Sequence, residues 1–149
     1  MAKDVVIRMQ WYGPRVTGNV FGALEDAMKE SVELLETDIK QSFPSEGGGI
    51  KWPNLPHRSS SWGQIPTKQS GELHDSIVHE LQEKDGRKLV GLVGTEKGTA
   101  GDEYGIKLEL GQGKLKKPRP FMRRGLGRNT KKIMSVFADK VAIAIAKGK

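Results

Sequence analysis

The sequence has no cysteine, which excludes disulfide bonds and metal sites built from thiolates. Its three histidines are too few and too scattered to indicate a metal centre. No apolar run approaches the ~18 residues that a membrane span requires, and the N-terminus lacks the long apolar core of a signal peptide. These absences favour a non-redox protein without metal or cofactor that is made in the cytosol and has no membrane partner.

Negative charge is missing from a long stretch near the C-terminus. Between Glu109 and Asp139 there is no acidic residue, but nine basic residues lie there: Lys114, Lys116, Lys117, Arg119, Arg123, Arg124, Arg128, Lys131 and Lys132. An earlier segment is acidic and holds Glu25, Asp26, Glu30, Glu33, Glu36 and Asp38. Such asymmetry indicates an anionic partner such as DNA, an oppositely charged surface on a neighbouring subunit, or simply a solvated helix face.

Two long stretches have the apolar periodicity of helices. The first begins near Asn19, a suitable N-cap, and ends at Pro44; its apolar residues recur every three or four positions, at Leu24, Met28, Val32, Leu35, Ile39 and Phe43. The second begins near Pro120 and runs to the C-terminus, with Met122, Leu126, Ile133, Val136, Phe137, Val141, Ala144 and Ile145 as its apolar residues. Gly125 and Gly127 weaken its start by up to ~1 kcal/mol each, and glycine there permits a bend or a close approach of another backbone.

Three short segments have the character of β-strands. They are residues 3–9, 77–83 and 88–95, and the last two flank an Asp85-Gly86 pair that is typical of a hairpin turn. A short helical turn is expected from Tyr104 to Leu108, and Gly111 is a plausible left-handed stop. The 149 residues therefore predict a single α+β domain, in which a small antiparallel β-sheet packs against two long α-helices that cover one face.

Residues 44–69 have no regular period. They contain three consecutive glycines and four prolines, and they also contain Trp52 and Trp62. A loop of this length is uncommon in a compact domain, and a purely flexible linker does not normally carry two tryptophans. We expect a long extended arm whose aromatic residues anchor on this subunit or on a neighbour; that both tryptophans cover their own core is an equal alternative.

Motifs for catalysis or nucleotide binding do not withstand inspection. The glycines from Gly91 to Gly101 lack the Gly-Lys-Ser/Thr spacing of a phosphate loop. The sequential residues His74, Asp75 and Ser76 carry little weight as a catalytic triad, since triads are assembled from distant segments. His79 lies five residues after His74, which does not place two metal ligands on one helical face.

Two carboxylates, Glu103 and Glu109, are a conceivable acid–base pair. Nothing in the surrounding sequence argues for a burial that would raise the pKa of either one. We therefore predict no catalytic residue, no cofactor site and no enzymatic activity.

The basic run is the main binding signal. Lys114, Lys116, Lys117 and Arg128 are candidates for contact with DNA phosphates, without sequence readout. Only Phe121 is interleaved among these charges, which gives little support to stacking on single strands. A stand-alone basic nucleic-acid-binding protein is therefore an alternative function.

Four elements occur in an order that resembles a known family. They are Trp52-Pro53 with Leu55, Gly71-Glu72-Leu73 through Ser76-Ile77, Tyr104 with Leu108-Glu109-Leu110-Gly111, and Arg119-Pro120-Phe121-Met122. Together they resemble the neck, minor tail and tail-completion proteins of long-tailed bacteriophages over about residues 19–140. The sequence departs from the family pattern at Gly105, where alanine is usual, and at Arg124-Gly125-Leu126, where Pro-Ala-Leu is common.

The resemblance implies a structural virion protein that forms a homo-oligomeric ring of six subunits at the head–tail junction, around the DNA channel. It implies other neck, connector and tail-tube proteins as partners, assembly in the host cytoplasm and a final location in the virion. On this hypothesis the subunit interface contains Trp52, Trp62, Arg119, Phe121, Arg123 and Arg124, and the lysine-rich segment with Arg128 approaches the DNA.

Overall fold

A computed structural model describes residues 5–10, 18–84 and 88–147, and all helices and strands named below lie within these ranges. In chain order they are β1 (Val5–Gln10), α1 (Gly18–Gln41), α2 (Glu72–Ser76), β2 (Ile77–Lys84), β3 (Lys88–Thr95), α3 (Ala100–Leu110), a 3₁₀ turn (Gly113–Leu115) and α4 (Met122–Lys147). The predicted α+β class is confirmed, with a small antiparallel sheet and two long helices.

The sheet has the strand order β1-β3-β2, and both strand pairs are antiparallel. Val5 lies opposite Val93, and Ile77 lies opposite Thr95. The predicted pairing of the second and third strands is thus confirmed, although the Asp85-Gly86 turn lies outside the described residues.

Helix α1 covers one face of the sheet with the apolar stripe that its periodicity predicts. Met28, Val32, Leu35 and Ile39 are all fully buried and belong to a single core with Val93. Strand β3 approaches α1 closely, because Gly91 has no side chain on that face and a Cβ atom there would lie 2.5 Å from Cγ1 of Val32. The long helix thus packs directly against the central strand.

The start of α1 differs from the sequence prediction. The helix begins at Gly18, so Asn19 lies inside its first turn and is not the N-cap. The prediction of Asn19 as the cap is therefore wrong, and residues 11–17, which precede the helix, lie outside the described residues.

Helix α4 runs antiparallel to α1, and ion pairs join the two. Arg128 donates to Asp38 at 2.6 Å, and Lys140 lies 2.9 Å from Glu30. The acidic and basic helices predicted from the charge asymmetry therefore meet within one chain. At these positions the complementary charges pair with each other within the chain.

Two glycines near the start of α4 have different environments. A Cβ atom at Gly125 would lie 2.3 Å from Cγ1 of Ile39, so the absence of a side chain lets α1 and α4 pack closely. A Cβ atom at Gly127 would meet no described atom within 4 Å apart from its two neighbours in sequence and the backbone of its own helix. At Gly125 the group that approaches closely is the side chain of Ile39, not another backbone as expected, while packing against the rest of the chain does not require glycine at Gly127.

Replacing each glycine by alanine tests this difference within one helix. Gly125→Ala is expected to lower the free energy of unfolding by about 1–3 kcal/mol, because the new methyl group overpacks the helix contact. Gly127→Ala is expected to raise it by up to about 1 kcal/mol, because alanine has the higher helix propensity. Urea denaturation measures both changes, and equal effects of the two substitutions would contradict the packing described above.

A polar contact ties α1 to the edge strand β2. The carboxylate of Glu36 accepts from Lys40 at 2.6 Å and lies 2.5 Å from Nδ1 of His79. Partial burial raises the pKa of Glu36, but the contacts with Lys40 and His79 outweigh this effect, so the pKa lies below its ordinary value of 4.5. The carboxylate therefore stabilises the fold in its charged form.

Because the pKa of Glu36 is lower in the folded chain than in the unfolded one, its stabilisation is complete above about pH 4.5 and is lost as the pH falls through the folded value. Glu36→Gln is expected to flatten the dependence of the unfolding free energy on pH between about pH 5 and pH 3. Denaturation at a series of pH values measures this slope. Glu33→Gln, at an exposed position of the same helix, is the control and should retain the wild-type slope.

Candidate functional site

The segment that joins α3 to α4 contains much of the predicted interface. Helix α3 begins after Thr99, whose side chain accepts from the backbone N–H of Asp102, and it ends at Gly111 with φ 69°. The left-handed stop at Gly111 is thus confirmed, and the helix is longer than predicted because it begins at Ala100 and not at Tyr104. The chain then returns to α3, since the N–H of Arg119 donates to the carbonyl oxygen of Leu108 at 2.7 Å.

The carboxylate of Glu109 caps the beginning of α4. It accepts from the backbone N–H groups of Phe121 at 2.7 Å, Met122 at 3.1 Å and Arg123 at 3.2 Å. These are donors that a helix start leaves without partners in its own backbone, and the negative charge also complements the helix dipole. The first turn of α4 has no acidic residue of its own, so a side chain from another helix supplies the cap.

The side chain of Arg123 completes this contact. Its Nε donates to Glu109 at 2.9 Å, and its Nη2 donates to the backbone carbonyl oxygen of Glu109 at 3.0 Å. Glu109 is only 4% exposed, so the expectation that nothing buries it is wrong. Its burial is satisfied by hydrogen bonds, and both carboxylate oxygens are occupied in holding two helices together.

Sequence reasoning missed the role of Glu109, although a signal was present. The elements Leu108-Glu109-Leu110-Gly111 and Arg119-Pro120-Phe121-Met122 were recognised by their order alone. The structure shows that Glu109 of the first accepts hydrogen bonds from Phe121 and Met122 of the second. Helix α4 lacks a capping carboxylate of its own, which is the feature that points to an acceptor elsewhere in the chain. Glu103, the other candidate acid, lies at an exposed position and pairs with Lys107 at 2.7 Å.

Phe121 is a core residue, which corrects its assignment to the subunit interface. Its side chain is 1% exposed and meets the ring of Phe43 in an edge-on contact with centroids 5.4 Å apart. An aromatic residue after two prolines and a basic run resembles a surface anchor in the sequence. Here the hydrogen bonds to Glu109 hold the beginning of α4 against the core, and Phe121 is buried there.

Residues 44–69 contain neither helix nor strand, as predicted, but they fold back on themselves. The N–H of Gly47 donates to Arg58 at 3.1 Å, and the N–H of Gly49 donates to Ser59 at 2.8 Å. The N–H of Lys68 donates to Pro44 at 2.9 Å and closes the base of the loop. The predicted arm is thus a closed loop in this structure.

The two tryptophans of this loop differ in their surroundings, although each is 50% exposed. The ring of Trp62 lies under the guanidinium of Arg119, 5.0 Å from its centroid, and the N–H of the following Gly63 donates to Pro118 at 3.1 Å. Trp62 and Arg119 therefore contact each other within one subunit. Ile50, two residues before Trp52 in the sequence, is 61% exposed, and we call these two residues the apolar tip.

A second apolar surface lies between β1 and α4. We call it the apolar groove; it has a volume of about 660 Å³ and is lined mainly by Ile7, Met9, Leu24, Ile133, Met134, Phe137, Val141 and Ile145. Met134 is 66% exposed and Ile145 is 52% exposed. Exposed apolar patches of this kind mark interaction surfaces. The groove reaches α1 at Leu24, whereas the loop with the apolar tip follows the opposite end of α1, roughly 25 Å away along the helix.

The structure divides the predicted basic residues into two groups. Arg123 and Arg128 form ion pairs with Glu109 and Asp38. Lys114, Lys116, Lys117 and Arg124 are exposed. No ion pair is found for these four within residues 88–147 or with the other described parts of the chain. Arg128 is therefore the member of the predicted DNA-contact set whose charge already has a partner.

The residues weighed for catalysis do not form a constellation. Nδ1 of His74 lies 2.6 Å from Asp75, but Oγ of Ser76 donates to the carbonyl oxygen of Leu73 at 2.7 Å. In the part of the chain that the structure describes, no cluster of three or more histidine, aspartate or glutamate side chains has the geometry to hold a metal ion. None of the described helices is long and apolar enough to cross a membrane.

Comparison of the chain with protein-family models, with curated proteins and with solved structures gives no significant match.

Substitution of Glu109 tests its role as a shared cap. Glu109→Gln is expected to lower the free energy of unfolding by about 2 kcal/mol, because hydrogen bonds to a charged acceptor become bonds to a neutral one and the amide nitrogen cannot accept. Thermal and urea denaturation measure the change. Glu103→Gln on the same helix is the matched control and should leave the stability unchanged within error; an equal loss in both variants would contradict the capping role.

Proposed function

We propose that the chain is a structural protein of a tailed bacteriophage virion that assembles into a ring at the head–tail junction, around the path of the DNA. The observation that carries this proposal is the presence of two different exposed apolar surfaces on one chain. The family resemblance supplies the biological setting. Glu109 and Phe121 belong to two of the sequence elements on which that resemblance rests. Their hydrogen bond explains why both elements occur in the same chain.

The two surfaces favour head-to-tail association over a symmetric dimer. A symmetric dimer uses the same patch on both subunits, whereas a contact between unlike patches leaves one of each free for the next subunit. The apolar tip and the apolar groove consist of different residues: the groove reaches α1 at Leu24, and the tip lies in the loop that follows the other end of α1. Repetition of a contact between them closes into a ring when the rotation from one subunit to the next permits it.

The distribution of charge is compatible with a ring, but the proposal does not depend on it. Asp38 and Glu30 already pair with α4 of the same chain, so the acidic helix has less charge available for a neighbour than the sequence alone suggests. Apolar burial is the dominant favourable term in most protein association. We therefore assign the subunit contact to the apolar tip and the apolar groove.

The absence of cysteine from the chain permits a direct test by disulfide trapping. In the double variant Trp52→Cys/Met134→Cys, the tip of one subunit is expected to become linked to the groove of the next. Mild oxidation of purified protein and of assembled particles should then give a ladder of covalent oligomers that ends at the hexamer. Denaturing electrophoresis without reductant and native mass spectrometry measure its length.

The control for this experiment is Tyr104→Cys/Met134→Cys. Tyr104 is 48% exposed but belongs to neither apolar surface, so this variant should give no ladder. A ladder that stops at the dimer would indicate a symmetric contact and contradict the ring. Absence of the chain from purified virions would contradict the proposed location.

A further inference from the structure

Six cations near the start of α4 remain without an acidic partner among the described residues. They are Lys114, Lys116, Lys117, Arg124, Lys131 and Lys132, and all are exposed. Because no acidic residue lies between Glu109 and Asp139, no neighbour in sequence neutralises them either. Most of the positive charge in this region is therefore not neutralised by salt bridges within the chain.

Part of this charge lies on one side of α4. Of the six, Arg124 and Lys131 lie seven residues apart and share one face of the helix with Ser135 and with Arg128, whose charge is already paired with Asp38. All four are exposed. We call the surface formed by Arg124, Arg128 and Lys131 the basic face.

Gly127 lies within the basic face, three residues after Arg124 and four before Lys131. Apart from its two neighbours in sequence and the backbone of its own helix turns, no described atom lies within 4 Å of the position that its Cβ would occupy, so packing against the rest of the chain does not explain the glycine. Glycine inside a helix is unfavourable relative to alanine, but it lets another molecule come close to the helix backbone. A position without a side chain, next to Arg124, Arg128 and Lys131, favours an anionic partner that approaches the helix closely.

We propose that the basic face binds the phosphate backbone of duplex DNA without reading its sequence. The exposed residues of α4 between positions 123 and 132 are Arg123, Arg124, Gly127, Arg128, Thr130, Lys131 and Lys132. None is apolar, whereas a protein–protein interface has an apolar core and aromatic anchors. Single-stranded nucleic acid would require exposed aromatic rings for stacking, and none of the exposed residues of α4 between positions 123 and 132 is aromatic.

The helix N-terminus itself does not take part in this binding. Its N–H groups are already bound to the carboxylate of Glu109. Phosphates are therefore bound by lysine and arginine side chains, which release counterions from the DNA and make the affinity steeply dependent on salt. This inference deepens the proposed function, because it assigns the face of each ring subunit that lies toward the DNA.

The test measures binding of the full chain to a short DNA duplex by fluorescence anisotropy over a series of salt concentrations. In Arg124→Gln/Lys131→Gln, the slope of log affinity against log salt should become shallower by about 2, since each lost phosphate contact contributes about 0.9. The control Lys29→Gln/Lys97→Gln removes the same charge from exposed positions outside the basic face and should retain the wild-type slope. Duplexes of unrelated sequence should bind equally.

A third variant tests the bare position. Gly127→Glu places a negative charge among the cations, in open space, and should weaken DNA binding at least tenfold while the circular dichroism spectrum stays unchanged. Gly127→Ala controls for the change of helix propensity and should weaken binding much less. Equal salt slopes for the basic-face and control variants, or binding to anionic lipid vesicles without affinity for DNA, would overturn the proposal.

The outcome is separable from that of the ring. Disulfide trapping between the apolar tip and the apolar groove does not involve the basic face, so the Arg124→Gln/Lys131→Gln change can be combined with the cysteine pair. A full ladder without DNA affinity would overturn this inference and leave the ring standing. Salt-dependent DNA binding without a ladder would overturn the ring and leave this inference standing.

Discussion

One buried carboxylate determines how the last third of the chain is folded. Glu109 belongs to α3, but its oxygens bond to the first N–H groups of α4 and to Arg123. A charge this deeply buried is costly unless it is fully bonded, so the end of one helix and the beginning of the next have a fixed relative position. That position directs Phe121 into the core and sets α4 alongside α1.

Much of the architecture could be predicted from the sequence because it follows from local rules. Apolar residues at helical spacing defined the buried stripe of α1, and β-branched segments around a turn signal defined β2 and β3. The burial of Glu109 could not be found this way, since its partners lie twelve or more residues along the chain. Phe121 was misplaced for the same reason: whether an aromatic residue is a surface anchor or a core residue depends on a contact between distant segments.

The candidate surfaces were predicted less completely than the fold. Trp52 and the lysines before Pro118 were identified from composition, and the structure leaves them exposed. The apolar groove was not identified, because it forms only where β1 and one side of α4 come together. The charge asymmetry was seen correctly, but Arg128 and Lys140 are paired within the chain. A count of charges along a sequence therefore overstates the charge that is available to a partner.

The turn between α3 and α4 is closed at its base, where a Cβ atom at Gly111 would lie 2.5 Å from the backbone nitrogen of Pro118. The six residues between them, 112–117, include Lys114, Lys116 and Lys117. The two ends of this loop lie close together. Doubling the length of such a loop costs only about 0.6 kcal/mol of closure entropy. Evolution can therefore lengthen or shorten the reach of these lysines without altering the domain that carries them.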